Sequence, residues 1–386
     1  MNVGVYIHVP FCRFKCTYCD FNAYAGMRSL YAPYSRAVAR EISARAALHA
    51  LRSTTIYLGG GTPSLLPLPM LAEILAACRA SFDVSPDAEI SLEANPGTLD
   101  AAYLEGLRAL GVNRLSLGVQ SAHQAELDFF KRGHSFSDAV EAVRLARAAG
   151  FDNLSVDLIY GIPRQTMAMW QETVVRALEL APDHVSMYCL TIEERTTLAL
   201  WVRRGQVPPP DDDLAADMAL WADERLAAEG LTRYEISNWA RPGRQCRHNL
   251  IYWRNAPYFG LGAGAHSSFG GKRFWNAAHP REYTRLIEAG QSAVAGSEDI
   301  GRALEMGETM MLGLRLTEGV SLASFETRFG VKMTDVYSGE LDELGEQGLV
   351  VVDEAGVRLT RRGWLLGNRV FGVFLPDESG CVGKCG

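Results

Sequence analysis

No run of apolar residues in this sequence approaches the roughly 20 that a membrane-spanning helix requires, so no spanning segment is expected. Positive charge is also short. There are 38 Lys and Arg against 45 Asp and Glu, a net charge of −7. A protein that grips nucleic acid through its surface carries the opposite balance, and no nucleic-acid partner is expected. The opening MNVGVYIHVP lacks the basic stretch of a secretory signal and the Arg/Ser-rich character of an organelle leader. A reducing, cytoplasmic setting is the resulting expectation. Cysteine is scarce, eight in 386 residues, yet three of the eight fall within residues 12–19. In a reducing compartment such clustering points to metal ligation or thiol chemistry rather than to disulfides.

What is present is a globular composition, 48% hydrophobic and 22% charged, sufficient for a full core. Apolar, β-branched runs at 3–8, 54–58, 89–94, 114–119, 154–160 and 184–190 read as strands. Helical patterns at 32–51, 69–82, 99–110, 137–149 and 167–180 lie between them. Strands separated by helices imply parallel pairing through right-handed crossovers. The pattern predicts an α/β fold, a partial (β/α)6 TIM-type barrel open on one side, since eight units close the familiar kind. Its regularity ends at GQVPPPDDD, residues 205–213, which opens a helix at 214–229. Gly- and aromatic-rich sequence follows, and 321–366 reads helix, helix, two short strands, helix. That order resembles a winged-helix module, here a packing or lid unit. The expected domains are 1–235, the barrel with its cysteine loop at 12–19; 236–376, a smaller α+β C-terminal domain with a winged-helix-like end; and 377–386, a flexible Gly-rich tail.

The stretch CRFKCTYCD sets Cys12, Cys16 and Cys19 in C-x3-C-x2-C spacing on the loop after the first strand. Thiolates are soft ligands that hold zinc or iron–sulfur clusters. Three are one short of a closed tetrahedral zinc site. On a four-iron cluster they would leave one iron open to another ligand. A zinc site completed by a distant histidine, or three unrelated thiols, are the other readings of the residues alone.

The spacing, with Tyr18 between the last two cysteines, is similar to the signature of the radical S-adenosylmethionine (SAM) superfamily. YIHVPFC, CDF, LGGGTPS, SLEANP, SLGVQS, LIYGIP and HNLIYW also occur in order. Together they resemble the coproporphyrinogen-oxidase-like branch of that superfamily over nearly the whole chain, to about Phe374. The resemblance implies a [4Fe–4S] cluster on Cys12, Cys16 and Cys19, SAM on its open iron, and an electron donor for the cluster. Within the branch, the oxygen-independent coproporphyrinogen III dehydrogenases of porphyrin biosynthesis compete with the HemW-type haem chaperones. A radical SAM methyltransferase is a third reading. The dehydrogenases carry a fourth cysteine two places after the third, where this chain has Phe21, and a long segment before the residue matching Tyr6. HNLIYW, residues 248–253, resembles the HNxxYW motif of haem-binding members. The expected function is therefore that of a chaperone, which binds haem and a SAM-ligated cluster and passes haem to an unidentified acceptor protein. Oxidation of coproporphyrinogen is not expected.

Glu93, Gln120 and Asp157 are polar residues within or at the ends of apolar strands. Burial would be costly unless they were hydrogen-bonded, so they are expected to face the barrel mouth. The resemblance assigns Glu93 and the Gly60 region to cluster-bound SAM, and Tyr6 to a further SAM contact. Tyr18, Gly61, Thr62, Gln120, Arg132 and Asp157 match positions around a second SAM in the dehydrogenases. A tight glycine turn and a structural hydrogen-bond network are the alternatives. For haem iron the candidate ligands are His248, Cys246 beside it, and His266 in GAGAHS. His8 and His134 read as structural or polar-site residues. Cys78 and Cys189 are expected to behave as small buried hydrophobes, and Cys381 and Cys385 as free thiols in the tail.

Overall fold

A computed structural model describes residues 2–46 and 51–376. Cys381 and Cys385 lie outside the described residues. Six strands, β1 (Asn2–Val9), β2 (Arg52–Gly60), β3 (Asp83–Ala94), β4 (Arg114–Gln120), β5 (Leu154–Tyr160) and β6 (His184–Cys189), pair in chain order and all in parallel. Helices α1 (Tyr31–Ala46), α2 (Leu68–Ser81), α3 (Ala101–Ala109), α4 (Phe136–Ala148) and α5 (Met167–Glu179) make the crossovers. Their starts follow from capping: Asp100 accepts from the Tyr103 amide, Ser135 and Asp138 form a capping box, and Thr166 accepts from the Met169 amide. The expected (β/α)6 order is therefore present. The first helix is described as far as Ala46; Leu51, which the expected helix included, lies outside it, just before β2.

The strands alternate more strictly than parallel strands usually do. On β1, Val3, Val5, Ile7 and Val9 join the main apolar core, while Gly4, Tyr6 and His8 point to the other face. On β2 that other face carries Thr55 and Tyr57; on β3, Glu89, Ser91 and Glu93; on β4, Arg114 and Ser116; on β5, Ser155 and Asp157; on β6, His184 and Ser186. These side chains bond to one another: Ser116 donates to Asp157 at 3.0 Å, and the Ser155 hydroxyl lies 2.8 Å from His184 Nδ1. The barrel interior is polar rather than a filled apolar core.

The sheet does not stop at six strands. β7 (Asn238–Ala240) pairs antiparallel with β6, after helix α6 (Asp212–Ala228). Helix α7 (Arg247–Trp253) follows, and then β8 (Tyr258–Leu261) runs parallel to β1 on its free side. β9 (His266–Phe269), β10 (Lys272–Asn276) and β11 (Val294–Asp299) extend that edge with antiparallel pairs. Residues 238–299 thus share the barrel's sheet. A second core, from Met310 to Phe374, lies under α8 (Arg302–Gly313) and the C-terminal helices, with a small sheet of Val320–Ser321, Gly356–Leu359 and Val350–Val352. Here three helices, Leu322–Phe329, Met333–Val336 and Ser338–Glu346, precede the two expected strands and the helix Arg361–Leu365, one short helix more than the expected order. Among the described residues, no helix is long and apolar enough to cross a membrane.

Candidate cofactor site

The C-terminal ends of the strands surround a cavity of about 340 Å³. Such strand ends are where this architecture builds its sites. The three cysteines line the cavity from the loop after β1. That loop is anchored to a neighbouring segment: the Thr17 amide donates to the Phe130 carbonyl at 3.2 Å, its hydroxyl donates to the Phe129 carbonyl at 2.9 Å, and Tyr18 packs edge-on against Phe130. Asn22 closes the loop from its far end, donating to the carbonyls of Ala263 and Ala278 at 3.0 and 2.9 Å.

Gly60, Gly61, Thr62 and Glu93 line the same cavity, with Tyr18, Gln120, Arg132 and Asp157 across from them. The structure therefore brings together every expected SAM position except Tyr6, which is absent from the cavity lining. The glycines are also required by packing. A Cβ on Gly59 would lie 2.8 Å from Tyr57 Cε1 and 3.0 Å from Glu93 Oε1; one on Gly60, whose φ is +112°, would lie 2.5 Å from the His8 ring. Gln120 sits at φ 70°, a left-handed conformation that costs a non-glycine residue about 1 kcal/mol or more. Such strain is held in place by the surrounding structure.

Two of the cysteines are contacted by polar side chains. The Thr62 hydroxyl approaches Cys12 Sγ and the Arg132 guanidinium approaches Cys16 Sγ, each at 3.6 Å. Arg132 also donates to Asn95 Oδ1 at 2.6 Å and to the Gly118 carbonyl at 2.8 Å, while its buried Nε has no partner among the described residues. Gly118 makes room for it, since a Cβ there would meet Arg132 Nη2 at 2.5 Å. Burial pushes the Cys12 thiol up, and Cys19 up to about 11. Metal loading would have to release those protons. Among the described residues no three His, Cys, Asp or Glu side chains are gathered as ligands to one ion. A cubane binds each thiolate at its own iron, so its ligands do not converge on a point. Burial, with Asp157 adding to it, raises the Glu93 carboxyl to about 7. Burial raises Asp157 as well.

The candidate haem ligands lie elsewhere. His248 is buried beside Gly4 and Thr55, early in β1 and β2, away from the strand ends that hold the cysteines. Its Nδ1 is 2.7 Å from the Thr55 hydroxyl and its Nε2 2.8 Å from the Tyr252 hydroxyl. Both ring nitrogens are occupied, and burial drops its pKa to about 3. Cys246 is fully buried against Glu89, and its thiol is pushed up to about 12. Neither residue offers a free donor atom in this conformation, because the hydrogen-bonded barrel floor takes them up. His266 is exposed and lies stacked on Trp275, with centroids 5.6 Å apart. His8 bridges Tyr6 and the Asn22 carbonyl, and His134 faces the Val119 carbonyl.

Cys78 is buried as expected, but Cys189 is not: it is exposed and lines the cysteine cavity, because β6 leaves the core at its last two residues. The structure adds residues that the motifs did not single out. Glu89 accepts from the amides of Arg247 and His248 at 2.9 and 3.2 Å, so it caps α7. Arg114, fully buried, stands near Glu89 and Cys246, with Nε unpartnered among the described residues. Glu89 was detectable by the same criterion as Glu93, a carboxylate in an apolar strand.

Residues 6–177 match the family model of the radical SAM superfamily, and 304–366 that of the HemN C-terminal domain. The chain is 42% identical over 331 residues to the heme chaperone HemW of Synechocystis, covering 84% of this chain and 80% of that protein. This chain belongs to the HemW family. To the heme chaperone HemW of Escherichia coli, another member, it is 35% identical over 386 residues, 97% of this chain and 98% of the relative. A solved structure of E. coli coproporphyrinogen III oxidase, HemN, described as a radical SAM enzyme, superposes with a TM-score of 0.84 at 25% identity, over 97% of this chain and 90% of that one. The HemW-family chain carries exposed Phe21 on the cavity wall, where the resemblance places a fourth cysteine in the dehydrogenases.

Proposed function

We propose that this chain is a haem chaperone: it binds haem, holds a SAM-ligated [4Fe–4S] cluster, and passes haem to an acceptor protein in the cytoplasm. The observation that carries this reading is full-length similarity to heme chaperones together with one cavity that gathers the three thiols and the expected SAM positions. Cys12, Cys16 and Cys19 hold the cluster. The cavity fits an anionic, thiolate-bound group, since Thr62 and the Arg132 guanidinium already stand at two of the sulfurs. When bound, the cluster with SAM supplies redox chemistry at an open iron, fed by an electron donor. Glu93 and the Gly60 backbone present an acceptor and an amide to the amino-acid end of SAM. Tyr18, Gly61, Thr62, Gln120, Arg132 and Asp157 line the rest of its site, and Tyr6 acts from behind through His8. By function, 1–235 carries the cluster and SAM, 236–376 the haem, and 377–386 neither.

His248 is the axial ligand in this reading, in a form of the protein where Tyr252 releases Nε2. The exposure of His266 favours a second reading in which it takes the iron without rearrangement. Haem titration followed at the Soret band tests both. His248→Ala should weaken binding or shift the band while cluster iron stays intact, whereas Cys16→Ala should do the reverse. A shift only in His266→Ala moves the site to the β9–β10 edge. Cys246→Ala tells imidazole from thiolate. Haem binding unchanged in all three variants would leave the ligand outside this set.

A further inference from the structure

Tyr57 bridges the cofactor cavity and α7. Its hydroxyl donates to Glu93 Oε1 at 2.7 Å, while Glu93 Oε2 accepts the Gly60 amide at 3.0 Å. Its ring lies against His248, centroids 5.1 Å apart and planes 19° from parallel. His248 is itself pinned by Thr55 and Tyr252. The pair cannot slide along β2, because Gly59 has given up its side-chain space to Tyr57 and Glu93. On the far side Tyr6 flanks both rings, 6.3 Å from Tyr57 and 6.4 Å from His248. A carboxylate with both oxygens engaged keeps one orientation, and each oxygen still has a lone pair for an incoming ammonium.

We propose that Tyr57 is a positioning residue that fixes Glu93 in its SAM-facing orientation and couples that carboxylate to His248 and its helix. The proposal rests on the reading of Glu93 as a SAM contact. It makes the HNLIYW histidine, at the floor of the barrel, a determinant of SAM binding at the mouth. The charged and titratable groups facing Glu93 are Asp157, Arg114, Tyr57, Tyr6, Tyr188 and Tyr252. Asp157 raises its carboxyl, while the Tyr57 hydrogen bond and Arg114 lower it. Loss of the Tyr57 hydroxyl therefore moves Glu93 further up.

The test is SAM affinity by equilibrium dialysis on the full, anaerobically reconstituted chain, with iron content measured in parallel and pH varied across neutrality. Tyr57→Phe keeps the ring and removes only the hydroxyl. It should weaken SAM about tenfold, the scale of one hydrogen bond to a charged group. Its binding should also require a higher pH than the wild type, a shift that a general loss of stability would not produce. His248→Gln keeps polar partners for Thr55 and Tyr252 but removes the ring behind Tyr57. It should weaken SAM too, and the double variant should lose less than the product of the two. Glu93→Gln separates the two ideas. If it binds SAM like the wild type, the reading of Glu93 fails and this proposal with it. If it binds weakly while Tyr57→Phe and His248→Gln match the wild type in affinity and pH profile, the positioning role alone is overturned.

Discussion

Cys16 is the residue on which the cluster assignment turns most directly, because the Arg132 guanidinium stands at its sulfur. Cys16→Ala, reconstituted anaerobically, should retain much less than four irons per chain by iron and sulfide analysis. A full complement would show that the spacing misleads. Glu93 gives a second measurement. Its folded carboxyl titrates near 7 against an ordinary 4.5, so the folded state holds a proton that the unfolded chain releases between those values. The sign follows from linkage: the stability this group contributes is present below about 4.5 and is lost as pH rises through about 7. In cluster-free protein, Glu93→Gln should remove that loss, on the order of 2 kcal/mol between mildly acidic and mildly alkaline urea titrations. Equal slopes for variant and wild type would mean that Glu93 is ionised in the fold throughout.

At the scale of elements, β2 shows how tightly the site is built into a strand. Gly59→Ala would place a methyl group against Tyr57 and Glu93 at once. A cost of about 1–3 kcal/mol in urea unfolding is expected, with weaker SAM binding at normal iron content. The strands also show what was legible. Their order, their helices and the cysteine loop could be read from apolar runs and spacing. The polar interior was half legible: Glu93 and Asp157 stand out as carboxylates in apolar strands, whereas the alternation Thr55, Tyr57, Gly59 beside Glu89, Ser91, Glu93 has the same period of two but is masked by small and aromatic residues that also suit a buried strand. α7 was found as a motif, yet its contact with Gly4 depends on a long-range packing that no local pattern encodes. The exposure of Cys189 was missed because an apolar run shows only that a strand exists, not where it leaves the core.

For the whole molecule, the likeness to both a heme chaperone and a porphyrin oxidase makes turnover the deciding property. With Phe21 in the wall of the cavity, purified cluster-loaded protein is expected to form no sustained protoporphyrinogen from coproporphyrinogen III with SAM and reductant under anaerobic conditions. Steady production would place it with the oxidases. A chain shortened after Pro376 should hold the same iron as the full chain, because the three cysteines and the side chains at their sulfurs all lie within residues 12–132. A drop in iron would assign the tail a place at the site. The antiparallel edge from β8 to β11 was the least legible part of the fold, since its Gly- and aromatic-rich sequence gives short strands with no clean alternation.

The parallel pairing of β8 with β1 has a consequence for the order in which the protein can be completed. Gly4 finds its partner Tyr258 only late in synthesis, and Asn22 needs the carbonyls of Ala263 and Ala278 to close the cysteine loop. On the ribosome the first strand therefore waits with one edge bare, and the three thiols wait on an unfinished loop. Metal delivery belongs after the chain has grown past Ala278, because a cluster offered earlier would meet a loop whose far end has nothing to hold it.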